Sequence, residues 1–508
     1  MRSLQFTLIV GWTFAQICIG ANLPNFVLIM VDDMGFSDLG CYGGEVDTPH
    51  LDQLAERGLR YTQFYNTGCC WPTRASLLMG MYPHEARHAM PWGHSAPEAY
   101  RGTGKSDGLL ISEVLKAAGY QCYHSGKWHL DSRGKNLKDT WPLARGFDRS
   151  YFLKSQHNFF NPWLIYDDEK KVTRPGVKGD YYATEVLTEK AIGFLKAHPK
   201  NQPFFLYLAH VAPHFPLHAP EEDIERHVDR YRVGWDEIRK QRHDKLQTLG
   251  LYDGPLAPRD PLVPAWQSLS ESEQEMWATR MAIHAAMIHV VDRGVGQLVG
   301  QLKAMEVLEN TLILFLSDNG ASAEYIVRGD GHDPEAIPGS SGSYLCLEVG
   351  WSNAANTPFR EHKMWMHEGG IATPLIAHWP DGIGNPGLIH RVGHVIDILP
   401  TFAKLAGLEA KGEFLFNLPV SRTLFWEHTG NKALRVGDKK IVKEHGKPWE
   451  LYDLENDRSE SIDLADRKPA LLRELVGRWQ SNAEEQGVVP WGSLPQSKQS
   501  PGPDYRKK

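Results

Sequence analysis

Cysteine is scarce in this chain. Six occur in 508 residues, at Cys18, Cys41, Cys69, Cys70, Cys122 and Cys346, too few for a disulfide framework. Long apolar runs are rarer still. One extends from Leu4 to Ile19, with Arg2 the only charge before it and Gly20-Ala21 a small-residue cleavage site. That pattern reads as a secretion signal over residues 1–21, with a buried N-terminal helix as the competing reading. Removing it takes Cys18 away and leaves five cysteines, at least one of them unpaired. An odd thiol in an exported protein calls for a chemical role. No later run has the length of a membrane span. The mature chain is therefore expected to be exported and without a membrane span, periplasmic or extracellular in a bacterium. Positive charge is in deficit, with a net charge of −7. This argues against a nucleic-acid partner but leaves the sign of a local pocket open. No internal repeat is found.

What is present is ordinary for a globular protein, 42% apolar and 23% charged. The length exceeds one compact core and predicts a large domain over residues 22–410. A smaller sheet-and-helix domain over 411–508 would end in a polar tail from Gln496. Several apolar runs stop abruptly in polar residues: Phe26–Val31 before Asp32-Asp33, Thr311–Ser317 before Asp318-Asn319, Phe204–Ala209 before His214, and Gln121–His124 before Lys127 and His129. Unbroken apolar strands are buried on both faces, which suits a largely parallel sheet covered by helices. Helices are expected after Thr48-Pro49, around Leu110–Ala118, from the capping box Ser270–Glu273 through Met287, over Asp397–Ala406 and near Leu471–Trp479. Residues 220–265 read as an insertion or lid. The alternation predicts an α/β fold with its site at the carboxyl ends of the strands.

Two acidic pairs at such ends, Asp32-Asp33 and Asp318-Asn319, would repel unless a cation compensates, and their oxygens suit calcium or magnesium. Cys70-Trp71-Pro72-Thr73-Arg74 spells C-x-P-x-R. In the company of Thr48-Pro49-His50-Leu51-Asp52, Gly126-Lys127-Trp128-His129-Leu130, Ala212-Pro213-His214-Phe215-Pro216, Ser317-Asp318-Asn319-Gly320, Thr357-Pro358-Phe359-Arg360 with Lys363 and Glu368-Gly369-Gly370, and Trp449–Leu454, the chain resembles the formylglycine-dependent type I sulfatases. Met79 stands where that family usually has threonine, His50 where it has asparagine, and the stretch from Lys411 to Arg422 is shorter than in most relatives.

The resemblance implies an alkaline-phosphatase-like fold: a large mixed sheet flanked by helices, plus a smaller C-terminal α+β domain. It implies hydrolysis of an aryl or carbohydrate sulfate. A formylglycine-generating enzyme would oxidise Cys70 to an aldehyde that hydrates to a gem-diol. One hydroxyl accepts the sulfuryl group, and loss of the other's proton expels sulfate. One calcium ion, with magnesium as the alternative, would be held by Asp32, Asp33, Asp318, Asn319 and the oxygen at position 70. Pro72 favours a helix starting at once, which would put a helix N-terminus by the anion. Arg74 would steady the diol, Lys127, His214 and Lys363 would bind sulfate, His214 or Lys363 would protonate the leaving oxygen, and His129 would be the base. Three carboxylates, three cations and a dication give this site a net charge of about +2 before the histidines.

Rival readings are a phosphodiester or phosphonate monoester hydrolase, or a sulfoglycan-binding protein with Cys70 unconverted. His84-Glu85-Ala86-Arg87-His88 also spells the zinc-peptidase pattern H-E-x-x-H. Pro83 and Pro91 leave little room for the helix that pattern needs. Gly102–Ser106 resembles a phosphate-binding loop, but no strand precedes it.

Overall fold

The computed structural model describes residues 23–494, apart from 93–95, 103–107, 132–137, 155, 174, 176–178 and 180. The leader over residues 1–21, the glycine-rich loop beyond Gly102 and the tail from Gln496 lie outside the described residues.

Among these residues the large sheet contains β1 (Asn25–Val31), β2 (Leu59–Tyr65), β3 (Gln121–Lys127), β4 (Arg149–Leu153), β5 (Ile165–Asp167), β6 (Lys170–Val172), β7 (Phe204–Ala209), β8 (Thr311–Ser317), β9 (Ala372–His378), β10 (Gly387–Ile389) and β11 (Gly393–His394). Their order is β10-β2-β9-β8-β1-β7-β3-β4-β5-β6, with β11 paired to β2. The centre, β8-β1-β7-β3-β4, is parallel. β9 runs antiparallel between β8 and β2, and β5 and β6 close the far edge antiparallel. The fold is thus mixed α/β.

Every residue of β1, β7 and β8 is buried. Alternate side chains enter opposite cores, as the two-residue period of a strand requires. Val27, Ile29 and Val31 join Leu206, Ile313 and the long helix Glu271–Ala304. Phe26, Leu28 and Met30 join Phe205, Leu314 and Phe402 of the helix Ile398–Leu405. Each such side chain contributes about 1.5–3 kcal/mol over the exposed state. The Ser270–Glu273 capping box forms, with the Ser270 N–H donating to Glu273 Oε2 at 2.9 Å. Residues 220–265 do not form a detached lid. They include the helices Glu221–Glu225, Val228–Tyr231 and Trp235–Thr248. Buried Arg242 ties this layer to the loop after β1, 2.7 Å from Asp38.

A second, antiparallel sheet runs in the order β12 (Thr423–His428), β13 (Asn431–Val436), β14 (Lys439–Lys443) and β15 (Glu450–Asp453). Thr429-Gly430, both at positive φ, turn β12 into β13, the geometry of a two-residue hairpin. The helix Pro469–Glu485 covers this sheet with Leu475, Trp479 and Ala483. The sheet's other face joins the main core through Leu424, Trp426, Ala433 and Val442. The parallel strands therefore share one carboxyl edge, and the second sheet stands beside it.

Candidate active site

β1 ends at Val31 and delivers Asp32 and Asp33; β8 ends at Ser317 and delivers Asp318 and Asn319. These neighbouring strands are in register, Val31 opposite Ser317, so the two polar pairs meet. The Asp33 N–H donates to Asp318 Oδ1 at 3.3 Å, and Asn319 Nδ2 donates to Asp33 Oδ1 at 2.6 Å. Asp33 adopts a left-handed φ of 66°, a strained conformation that re-aims the chain at the strand end.

The helix Cys70–Met79 begins on Cys70 itself, with extended Cys69 as its N-cap and Gly80 closing it at positive φ. The Thr67 N–H donates to Thr73 Oγ1 at 3.1 Å and fixes the loop that enters it. The helix points its first turn at the acidic pairs. Ligand atoms of Asp32, Cys70 and Asp318 lie within 4.8 Å of one another, as do those of Asp32, Asp33 and His214. Arg74, one turn on, is fully buried. Its Nε and Nη2 lie 2.9 and 2.7 Å from Asp318 Oδ2, and Nη1 donates to the Lys127 carbonyl at 3.1 Å.

β3 runs farther than its apolar part, through Gly126 to Lys127. A Cβ on Gly126 would fall 1.8 Å from the Ala209 carbonyl oxygen on β7, so only glycine allows this close approach. Lys127 Nζ lies 2.6 Å from Asp32 Oδ2. His129 follows at φ 58°, lies near enough to the Cys70 side chain to interact with it electrostatically and meets the Trp71 ring edge-on at 5.1 Å. His214 comes from the loop after β7, with Nε2 3.7 Å from Asp33 Oδ2. Lys363 comes from the loop before β9, with Nζ 2.9 Å from Asp33 Oδ1 and 3.2 Å from Glu324 Oε2. All ten residues singled out in the sequence converge on one edge of the sheet.

Burial dominates the electrostatics. It pushes Asp32 and Asp33 up to about 6 and Asp318 to about 7, with repulsion from neighbouring carboxylates adding to it and the cations opposing. Burial also pushes His129 down to about 4 and His214 well below the usual imidazole range, helped by Lys127 and, for His214, first by Lys363. Cys69, beside Cys70, is likewise a free thiol. With Lys127, His129 and Lys363 it holds Cys70 well below the usual thiol range against burial, while Cys69 is pushed up.

The donor set fits a hard cation. Asp32 Oδ1 and Asn319 Oδ1 are buried without a hydrogen-bond partner among the described residues. Unsatisfied oxygens of this kind each cost about 1–3 kcal/mol. Carboxylate and amide oxygens are the ligands that calcium and magnesium take.

Sequence reasoning missed three neighbours. Glu324 sits in no recognisable motif, and its carboxylate lowers the pocket's tally with a bound dication from +2 to +1. Tyr207 is hidden inside an apolar strand, where its hydroxyl accepts from Arg74 at 3.4 Å. Cys69 was visible, but nothing in the pattern distinguished it. The H-e-a-r-H segment forms turns rather than a helix. His84 pairs with Glu427 at 2.7 Å, His88 stacks on Trp71, and the two share no metal cluster among the described residues.

The family model described as Sulfatase matches residues 24–408. An uncharacterized sulfatase of Schizosaccharomyces pombe is 33% identical over 92% of this chain and 94% of its own. An arylsulfatase of Klebsiella aerogenes is 32% identical over 76% of this chain and 87% of its own. The crystal structure of Ps i-CgsB in complex with k-i-k-neocarrahexaose superposes with a TM-score of 0.66 at 25% identity, covering 90% of this chain and 92% of that one.

Proposed function

Because this chain belongs to the sulfatase family and is a sulfuric ester hydrolase, we propose that it acts through residue 70, converted from cysteine to formylglycine, beside one calcium ion. The observation that carries this reading is the meeting of Asp32, Asp318 and Cys70 ligand atoms within 4.8 Å, at the start of a helix. Asp32, Asp33, Asp318, Asn319 and the oxygen at position 70 would hold the ion. Bound there, it would neutralise buried carboxylates and acidify a neighbouring hydroxyl, a role magnesium could also fill.

The hydrated aldehyde offers two hydroxyls, one to accept the sulfuryl group and one whose proton is removed to release sulfate. Residue 70 opens its helix, so the N–H groups of residues 70 and 71 have no intrahelical acceptor and can meet the anion, whereas Pro72 has no N–H and the Thr73 N–H donates to the Cys69 carbonyl at 3.1 Å. Lys127, Lys363 and His214 bind the sulfate oxygens. Arg74 holds Asp318 and the Lys127 carbonyl in place. His129, neutral at pH 7 and close to position 70, is the base for the second hydroxyl. Lys363 reaches neutral pH protonated, whereas burial and the nearby lysines leave His214 neutral, so Lys363 is the donor to the leaving oxygen. The neocarrahexaose complex of one relative supports a carbohydrate sulfate as substrate, and the arylsulfatase relative supports an aryl sulfate as a working probe.

The test compares turnover of an aryl sulfate and an aryl phosphodiester by enzyme made together with a formylglycine-generating enzyme. Faster sulfate hydrolysis, abolished in a folded Cys70→Ala variant, is expected. A preference for the phosphodiester, or unchanged activity in Cys70→Ala, would overturn the reading.

A further inference from the structure

Phe215 follows His214 directly, and two cations flank its ring. Lys363 Nζ, already placed at the site by Asp33, lies 5.8 Å from the ring centre. The Arg328 guanidinium carbon lies 5.6 Å from the same centre. The two differ in one respect. Lys363 is buried and neutralised by Asp33 and Glu324, whereas Arg328 is exposed and has no carboxylate partner among the described residues. An aromatic face orients a guanidinium while leaving its in-plane N–H groups free for an anion.

The loop that carries Arg328 is clasped from both sides. Trp163 Nε1 donates to both carboxylate oxygens of Asp330 at 2.9 Å. Gly329, at φ +67°, lies so close to His157 that an added Cβ would come 2.4 Å from the His157 Cβ. Beneath, Phe215 packs with Tyr344, Cys346 and Ile326. Arg328 is therefore a held cation at the rim of the sulfate site. Holding it in advance lowers the ordering cost of binding.

From this arrangement, and resting on the proposed sulfatase reading, we infer that Arg328 is a specificity residue that binds a second anionic group of the substrate. The substrate class is then a sulfated sugar that carries another sulfate, or a carboxylate, on the same ring or the adjoining one. A guanidinium binds either group by paired N–H donors, so the shared chemistry is a planar or tetrahedral oxyanion. The ester bond broken remains the one at residue 70, and Arg328 takes no part in the chemical step.

The experiment uses converted full-length enzyme and one sugar scaffold in three forms: one sulfate, two sulfates, and one sulfate with a carboxylate. Wild type is expected to prefer at least one of the doubly anionic forms in kcat/KM. Arg328→Ala should shrink that preference about tenfold or more, the scale of a charged hydrogen bond, and Arg328→Lys should recover part of it. Whichever doubly anionic form loses its advantage identifies the second group. Binding of the same sugars to Cys70→Ala, with and without Arg328→Ala, gives the comparison independently of turnover. If no sulfate ester is hydrolysed, the sulfatase reading fails, while the binding arm still decides the subsite. Equal preference in wild type and Arg328→Ala, or no preference in wild type by either measure, would overturn the inference.

Discussion

Replacing Lys440 with methionine should destabilise the protein by about 3–5 kcal/mol, the cost of stripping one partner from a buried ion pair. Lys440 Nζ lies 2.9 Å from Glu368 Oε1 and 2.7 Å from Glu460 Oε1, with all three side chains fully buried. Glu368 also accepts from Arg458 Nε at 2.8 Å and from the Tyr65 hydroxyl at 2.7 Å. Burial opposes ionisation of Glu368, but Lys440, Arg458 and Arg435 outweigh it and hold the carboxyl at about 2. Methionine matches the lysine stem, so the loss is one of charge rather than volume. Two carboxylates would then face each other in a dry interior. The network joins β14 of the second sheet to the segment that leads into β9, where Gly320 N–H donates to the Gly370 carbonyl at 3.0 Å and Lys363 N–H donates to the Ala321 carbonyl at 3.1 Å. Loosening it should therefore also lower kcat/KM. Urea unfolding is the assay: the midpoint should fall at unchanged slope. Adding Glu460→Gln to Lys440→Met should restore part of the loss, since both members of one pair are then neutral. A cost below about 1 kcal/mol, typical of exposed pairs, would refute the argument.

Asp318→Asn should lose bound calcium and at least about 100-fold in activity, because a ligand matters no less than the groups that orient it; metal analysis showing full occupancy would contradict its role. Cys70→Ser should take up one sulfuryl group and stall, since a serine has no second hydroxyl to expel it; sustained turnover would contradict the diol chemistry. The chelated protein should lose stability as pH rises from 5 to 8. Asp32, Asp33 and Asp318 have folded-state values raised to about 6, 6 and 7, above the ordinary 3.8. The folded state therefore binds more protons than the unfolded one across this window, and deprotonation disfavours folding. Added calcium should flatten the trend in thermal midpoints, and a calcium-independent slope would count against the shared site.

The interior strands were legible because burial on both faces writes an unbroken apolar run, as in Phe26–Val31 and Thr311–Ser317. β2 escaped notice because it lies toward the sheet's edge and carries half-exposed Arg60 and Gln63, which break the run. β9 escaped because Pro374 interrupts an otherwise apolar segment that is nonetheless buried. The site residues were readable where strand ends or short motifs carry them. Glu324 and Tyr207 were not, since only the folded chain brings them to Lys363 and Arg74. The same holds for Glu368 and Lys440, 72 residues apart: a buried charge pair leaves no periodic trace. Of the two readings of 220–265, an insertion or a lid, the structure shows a helical layer anchored by buried Arg242, whose ion pairs with Asp38 and Glu45 no sequence pattern announces, while most of its other charged residues are exposed.

The most direct measurement is peptide mass spectrometry across residue 70 in active protein produced with a formylglycine-generating enzyme. The account predicts an aldehyde in place of the thiol, in proportion to specific activity. Full sulfatase activity from protein whose residue 70 is entirely unmodified cysteine would contradict it.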